Sequence, residues 1–148
     1  MESAKGLPVA VLMNTTIRDS GRKDTTEIKA EGLLFQKGAS VFLRFQEPDE
    51  EAGKTVQTIK IKNEEMSVIR KGAVTMNQRF IQGAETEGMY HSPYGPMEMI
   101  TKTKEVYYNW NSTSKTGKLR LRYNLRLQGG NAGDYDMRVT IREVSEHS

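Results

Sequence analysis

Residues 118–128 read "KLRLRYNLRLQ", and this run decides the fold class. Apolar side chains occupy every second position of it: Leu119, Leu121, Tyr123, Leu125 and Leu127. The positions between them carry arginine, lysine or amide side chains. Alternation with a period of two is typical of a β-strand that buries one face and exposes the other. An amphipathic helix would instead repeat its apolar residues every three or four positions, so we predict a strand here.

The next segment repeats the pattern and completes a predicted hairpin. Tyr135, Met137, Val139 and Ile141 alternate with polar residues, and the intervening "GGNAGD" (129–134) supplies glycine for a tight loop. The outward positions of both strands form a ladder of arginines: Arg120, Arg122, Arg126, Arg138 and Arg142. If Arg126 opposes Asp136, part of this positive charge is neutralised across the strands.

Looser alternation predicts strands along the rest of the chain. Their ranges are 9–18, 26–35, 41–45, 56–62, 66–70, 74–81, 87–91 and 97–110. Turn-forming residues separate them, and no segment has a helical stripe of sufficient length. We therefore predict an all-β protein, one domain over residues 1–148, in which about eight to ten antiparallel strands form a sheet that curls on itself.

Composition excludes several classes of protein. The chain has 148 residues, 36% of them apolar, a net charge of +3, no cysteine and two histidines. Without cysteine there is no disulfide framework and no thiolate metal site, and a single histidine away from the tail gives no metal triad. No apolar run approaches the roughly 18 residues of a membrane span. We expect a cytoplasmic protein with no metal, no cofactor and no membrane partner.

Two further stretches carry a family resemblance and most of the candidate chemistry. They are "RKGAVTMNQRF" (70–80) and "SPYGPMEMITKT" (92–103). With them, nearly the whole chain resembles the YwiB-like bacterial family of small β-barrel proteins. The resemblance implies a lipocalin-like (calycin) up-and-down barrel and no particular activity. Closure into a barrel, rather than a two-sheet sandwich, is what the resemblance implies, because alternation alone fits both.

The strand register around residue 78 leaves two alternatives. If Met76, Gln78 and Phe80 face the interior, then Asn77 and Arg79 lie on the outer face. If a bulge follows the turn at residues 71–72, the register inverts and Arg79 faces inward. A guanidinium inside the barrel would require an acidic or carbonyl partner, or an anionic ligand.

The sequence predicts ligand-binding residues but no catalytic ones. The candidates are Arg70, Asn77, Gln78, Arg79 and Tyr94. In one interpretation they anchor a carboxylate or phosphate at the barrel mouth. In the other they form an arginine and amide network that braces the barrel. The neighbouring Met89, Met97 and Met99, with Tyr90, suggest a soft apolar surface that adapts to a ligand.

Three functions compete at this stage. The first is a non-enzymatic barrel that binds a small anionic or amphipathic ligand. The second is a nucleic-acid or protein-interaction module that uses the basic outer hairpin and Trp110. The third is a cofactor-free acid–base enzyme that uses Arg70 or Arg79, Tyr94 and Glu98 inside the barrel.

Overall fold

The computed structural model describes residues 3–48 and 55–144. In these ranges the chain forms ten strands: β1 (Ser3–Asp19), β2 (Arg22–Lys37), β3 (Ser40–Gln46), β4 (Val56–Lys62), β5 (Glu65–Lys71), β6 (Thr75–Ile81), β7 (Glu85–Ser92), β8 (Gly95–Asn111), β9 (Thr116–Leu127) and β10 (Gly130–Glu143). The same ranges contain no helix that is long and apolar enough to cross a membrane.

The ten strands form one closed antiparallel barrel, which confirms the predicted all-β, up-and-down fold. Each strand pairs with its neighbour in sequence, and the barrel closes because β1 pairs with both β2 and β10. The closing ladder runs from the pair Val9 and Glu143 to the pair Arg18 and Asp134. Every predicted strand is present, and most of them are longer than the alternation indicated.

The hairpin between β9 and β10 is tighter than predicted. Its turn consists of Gln128 and Gly129 alone, with φ angles of 52° and 79°. Positive φ at both central residues is the geometry of the type I′ turn, which matches the twist of the two strands. Most of the predicted loop 129–134 is therefore strand, because β10 already begins at Gly130. An irregularity between Asn131 and Gly133 absorbs the extra length.

This register also corrects one predicted pair. Asp136 lies opposite Arg122, and Arg126 lies opposite Asn131. The short turn and the irregularity in β10 together set these partners, and neither could be placed from the alternation. Asp136 still neutralises an arginine, because its carboxylate accepts hydrogen bonds from the guanidinium of Arg120 at 3.2 and 3.0 Å.

A layer of aliphatic side chains fills the middle of the barrel, and we call it the waist. Its members come from strands on opposite walls and are at most 1% exposed: Leu43, Ile59, Leu119, Leu121, Val139 and Ile141. Leu43 pairs with Ile59 across β3 and β4, and Leu119 pairs with Val139 across β9 and β10. Each such buried side chain contributes roughly 1.5–3 kcal/mol. The waist is thus the main hydrophobic support of the closed sheet.

Gly32 on β2 occupies a position where the backbone of β3 leaves no space for a side chain. A Cβ atom there would lie 2.5 Å from the carbonyl oxygen of Arg44 and 3.0 Å from the Cβ of Phe45. We expect Gly32→Ala to lower the free energy of unfolding by about 1–3 kcal/mol, because the strands must separate locally. Urea unfolding measures this effect.

Gly130→Ala is the matched control for that substitution. Gly130 is also a strand glycine, and its added Cβ would meet only the carbonyl oxygen of Leu127 at 3.5 Å, an ordinary contact. Its free energy of unfolding should stay within about 0.5 kcal/mol of the wild-type value. Equal midpoints for both variants would contradict the close approach at Gly32.

A candidate ligand site at one end of the barrel

A cavity of about 510 Å³ opens at the end of the barrel that carries the β7–β8 and β9–β10 turns. Its wall is mostly apolar and rich in methionine and aromatic rings: Met76, Met97, Met99, Tyr90, Tyr123 and Met137. This volume lies within the roughly 300–1,000 Å³ range of small-molecule sites. We call it the first cavity.

The aromatic part of this wall is ordered by ring packing. Tyr123 on β9 stacks on Tyr135 of β10, with ring centroids 4.9 Å apart, and meets Phe80 of β6 at 4.7 Å. Burial raises the pKa of Tyr123 well above its ordinary value, so its hydroxyl stays neutral. The rings thus offer a rigid, uncharged surface to a ligand.

A polar cluster interrupts the apolar wall. The Arg70 guanidinium on β5 donates two hydrogen bonds to the Glu47 carboxylate, Nε to Oε2 and Nη2 to Oε1, both 2.7 Å long. Gln57 on β4 donates from its Nε2 to the same Oε2 at 3.0 Å. Glu47 is only 7% exposed, and all three residues line the first cavity. A two-point arginine–carboxylate pair of this kind fixes orientation as well as charge.

The charges of Arg70 and Glu47 balance each other within the cluster. The hydrogen bond to Glu47 raises the pKa of Arg70, against the opposing effect of burial, and Tyr90 adds smaller contributions in the same direction. The guanidinium therefore stays charged, and the carboxylate of Glu47 balances it. A guanidinium has five N–H donors, and Glu47 takes two of them. Donors consequently remain for Tyr90 and for a ligand.

A second polar pair lies deeper in the barrel wall. Gln78 on β6 donates from its Nε2 to the Thr101 hydroxyl on β8 at 2.8 Å, and both side chains are buried. Thr103, two positions further along β8, is also buried. Its hydroxyl has no hydrogen-bond partner within residues 3–48 and 55–144. Gln78 lines the first cavity, so its amide links the cavity wall to the buried Thr101 hydroxyl on β8.

The structure brings only two of the five predicted ligand-binding residues into the barrel. Arg70 and Gln78 face the interior, as the first register alternative requires. The β5–β6 ladder runs without a bulge from the pair Glu65 and Ile81 to the pair Lys71 and Thr75. The inverted register is therefore not the one that forms.

The other three candidates are corrected, because their side chains lie outside. Asn77 is exposed on the outer face of β6. Arg79 is on the same face, where its Nη2 lies 2.6 Å from the Glu65 carboxylate and more than half of the side chain is in water. Tyr94 is fully exposed in the β7–β8 turn. None of them can contact a ligand in the first cavity.

Glu47 and Gln57 are not among the ligand-binding residues predicted from the sequence. Glu47 begins the acidic run "EPDEE" (47–51), which is typical of a loop, and positions 49–51 lie outside the described residues. The signal was nevertheless available, because the inward positions Leu43 and Phe45 lead by the same period of two to Glu47. A backbone hydrogen bond of 2.9 Å from Glu47 to Thr55 continues the β3–β4 ladder and holds that register.

The outer face does not assemble the predicted interaction surface. Trp110 faces the interior of the barrel, on the opposite side of the sheet from the arginine ladder. Acidic neighbours also compensate part of the ladder, since Asp136 pairs with Arg120 and Arg138, and Glu105 lies 3.9 Å from Arg120 and Arg122. Of the three methionines predicted to form a soft apolar surface, Met89 is exposed, whereas Met97 and Met99 line the first cavity.

The polar residues near the first cavity include no cluster of metal ligands within the described part of the chain. Within the described ranges, no group of three or more histidine, aspartate or glutamate side chains could hold a metal ion. His91 is exposed on β7. Glu98, a candidate acid or base, is exposed as well. Among the described residues, the carboxylate that lines the first cavity is that of Glu47, and Arg70 and Gln57 already hold both of its oxygens.

The fold and the site define the class of protein, which is a closed antiparallel β-barrel with a polar cluster at one end. Comparison with known proteins then identifies the family. The sequence profile of the family described as a domain of unknown function (DUF1934) matches residues 11–139, so the chain belongs to this family. It is 28% identical, over 133 residues, to the "Uncharacterized beta-barrel protein YwiB" of Bacillus subtilis (strain 168), covering 90% of this chain and 92% of that protein. The crystal structure of that organism's ywiB protein superimposes with a TM-score of 0.84 at 27% identity, covering 94% of this chain and 93% of the other.

Arg70 and Arg79 allow a matched test of the buried ion pair. We expect Arg70→Met to lower the free energy of unfolding by about 3 kcal/mol, because it leaves the Glu47 carboxylate buried without its counter-charge. Arg79→Met breaks a pair whose side chains are 54% and 42% exposed, so it should cost at most about 1 kcal/mol. Chemical denaturation measures both effects.

The double variant Glu47→Gln/Arg70→Met separates burial of a charge from loss of packing. Because it removes both charges, it should recover most of the stability that Arg70→Met loses. A double variant as unstable as the single one would show that the methylene packing of Arg70, and not its charge, supports the site.

Asp136 gives a prediction about pH. Hydrogen bonds from Arg120 lower its pKa in the folded protein, with Arg138 contributing less. A depressed folded pKa contributes stability above the unfolded value, near 3.9, and loses it as the pH falls toward the folded value. Asp136→Asn should therefore cost less than about 1 kcal/mol at pH 7, and less still at pH 3. Thermal unfolding at both pH values measures the difference, and a gap that widens at pH 3 would contradict the ion pair.

Proposed function

We propose that this barrel binds a small amphipathic molecule in the first cavity and does not act as an enzyme. The supporting observation is a cavity of about 510 Å³ with an apolar, ring-lined wall, in which the described residues form a single charged cluster, Arg70 with Glu47. Ligand sites in barrels combine these two features, because an apolar wall supplies affinity and a few polar groups supply orientation. Methionines at positions 76, 97 and 99 add adaptability of shape.

The charge balance of the cluster favours an uncharged polar end on the ligand. Glu47 already compensates Arg70, so an anion bound beside them would add a second negative charge to a partly buried site. A hydroxyl or carbonyl oxygen avoids this cost and still accepts a hydrogen bond from a remaining N–H of Arg70. Of the anionic and amphipathic ligands expected from the sequence, we therefore favour the amphipathic class with an uncharged head.

The two competing functions have less support in the geometry. An interaction module built on the outer hairpin would need Trp110 beside the arginines, and Trp110 faces inward. An acid–base enzyme would need a free carboxylate in the cavity, and Glu47 is held by Arg70 and Gln57. We also propose a cytoplasmic location, which suits a chain that has no cysteine for disulfides.

Paired eight-carbon probes test the proposal. Titration calorimetry with 1-octanol and with octanoate compares an uncharged and an anionic head on the same chain. We expect 1-octanol to bind the wild-type protein more tightly than octanoate at pH 7. In Arg70→Lys the affinity for 1-octanol should fall roughly fivefold, because the point charge of lysine cannot grip Glu47 and still present an oriented donor. Native mass spectrometry of the freshly purified protein provides a search for a retained natural ligand.

Arg79→Lys is the control, since the same substitution is made on the outer face next to Glu65. Its affinity for 1-octanol should equal that of the wild type. Tighter binding of octanoate than of 1-octanol would reject the uncharged head. If neither probe binds and no small molecule is retained, the proposed function is wrong.

A further inference from the structure

A second cavity, of about 590 Å³, lies at the opposite end of the barrel. It is lined by residues of β1, β2, β3 and β8 and by the loop that joins β8 to β9. The apolar part of its wall includes Leu7, Leu34, Val41, Tyr108 and Trp110. The polar part lies toward the loop and the end of β10, with Ser112, Lys115 and Glu143.

The two cavities are separate sites. They share no lining residue, and none of the six waist side chains lines either of them. The waist residues Leu43, Leu121 and Ile141 have no exposed surface at all, so no open channel crosses the middle of the barrel. Binding at one end therefore requires no occupancy of the other.

A glycine on the adjacent strand positions the indole of Trp110. Gly117 on β9 lies directly opposite Trp110 on β8. A Cβ at Gly117 would lie 2.9 Å from Cε3 of the indole, so the ring rests against the bare backbone of that residue. Tyr108, two positions earlier on β8, is on the same inward face. Both rings line the second cavity.

Some polar groups of this wall are paired with each other, and others are not. Lys115 and Glu143 neutralise each other, with Nζ 3.3 Å from Oε2. The Tyr108 hydroxyl and the Trp110 indole N–H have no hydrogen-bond partner within the part of the chain that the structure describes. Burial alone raises the pKa of Tyr108, so its hydroxyl stays protonated and remains a donor. The described residues of the cavity thus offer two neutral donors and no unbalanced charge.

We propose that the second cavity binds a small, planar, uncharged aromatic molecule that carries a hydrogen-bond acceptor such as a carbonyl. The aromatic rings of Tyr108 and Trp110 suit stacking against a planar ligand, and the volume accommodates a molecule of two or three fused rings. The acceptor meets the free donors of the wall. A charged ligand is disfavoured, because Lys115 and Glu143 already balance each other.

The single tryptophan of the chain provides a reporter inside the proposed site. We suggest titrating isotope-labelled protein with coumarin, an uncharged bicyclic lactone, and with naphthalene, which has similar rings and no acceptor. The one indole N–H signal in the nitrogen–proton correlation spectrum should shift saturably with coumarin. Naphthalene should bind more weakly.

Two adjacent tyrosines make the matched variants. Tyr108→Phe removes the proposed donor and should weaken coumarin binding roughly two- to tenfold, while binding of naphthalene stays unchanged. Tyr107→Phe makes the same change at the preceding residue, which is 46% exposed, and should behave as wild type. Val41→Phe adds bulk to the cavity wall on β3 and should abolish the shift.

Arg70→Lys, in the first cavity, should leave the coumarin titration unchanged. This keeps the test independent of the proposed function, because the two sites are probed by different ligands and different variants. An indole signal that does not move at saturating coumarin, or a shift lost in Arg70→Lys, would overturn the second site. Equal coumarin affinity in Tyr108→Phe and Tyr107→Phe would overturn the role of the hydroxyl.

Discussion

The hydrogen-bonded ladder between β1 and β10 is the constraint on which the rest of the structure depends. Without it, both strands would be open edges with unpaired backbone groups, and the inward side chains would face water on one side. With it, the sheet closes at ten strands. Side chains can just fill a barrel of about eight strands, so ten leave more interior than they occupy. Space remains at both ends, while the aliphatic waist fills the middle.

The placement of charge inside the barrel follows from this geometry. Glu47 and Arg70 lie at the mouth of the first cavity, and Lys115 and Glu143 lie at the rim of the second. Each pair is internally neutral, so neither cavity carries a net charge from it. A well-packed apolar pair at the position of Glu47 and Arg70 would often be equally stable, because burial of both charges costs nearly what their attraction returns. Stability alone therefore gives no reason for the pair, whereas the proposed binding of a polar ligand would give one.

Much of the fold could be predicted from the sequence, because alternation is a local property. The run at 118–128 indicated β9, and similar runs indicated the other nine strands. The site was harder to predict, since it depends on which residues lie opposite one another on different strands. Turn length set those partners, as the tight turn at Gln128 and Gly129 did for Asp136. Glu47 was missed because its acidic neighbours suggested a loop, although Leu43 and Phe45 already pointed to an inward position.

The parity of the register explains why one arginine of β5–β6 is inside and the other outside. Residues opposite each other on antiparallel strands share a face, and Arg70 lies opposite Met76. Arg79 is three positions beyond Met76, an odd number, so it must be on the other face. In this bulge-free ladder the two arginines therefore cannot line the same cavity. Each has a glutamate on its own face, Glu47 inside and Glu65 outside, so the register that forms leaves neither arginine nor its carboxylate without a partner.

Inverting β5 and β6 together would move Arg70 into water and leave the buried carboxylate of Glu47 unpaired, at a cost of several kcal/mol. The ion pair in the first cavity thus helps to specify the strand register that builds the cavity.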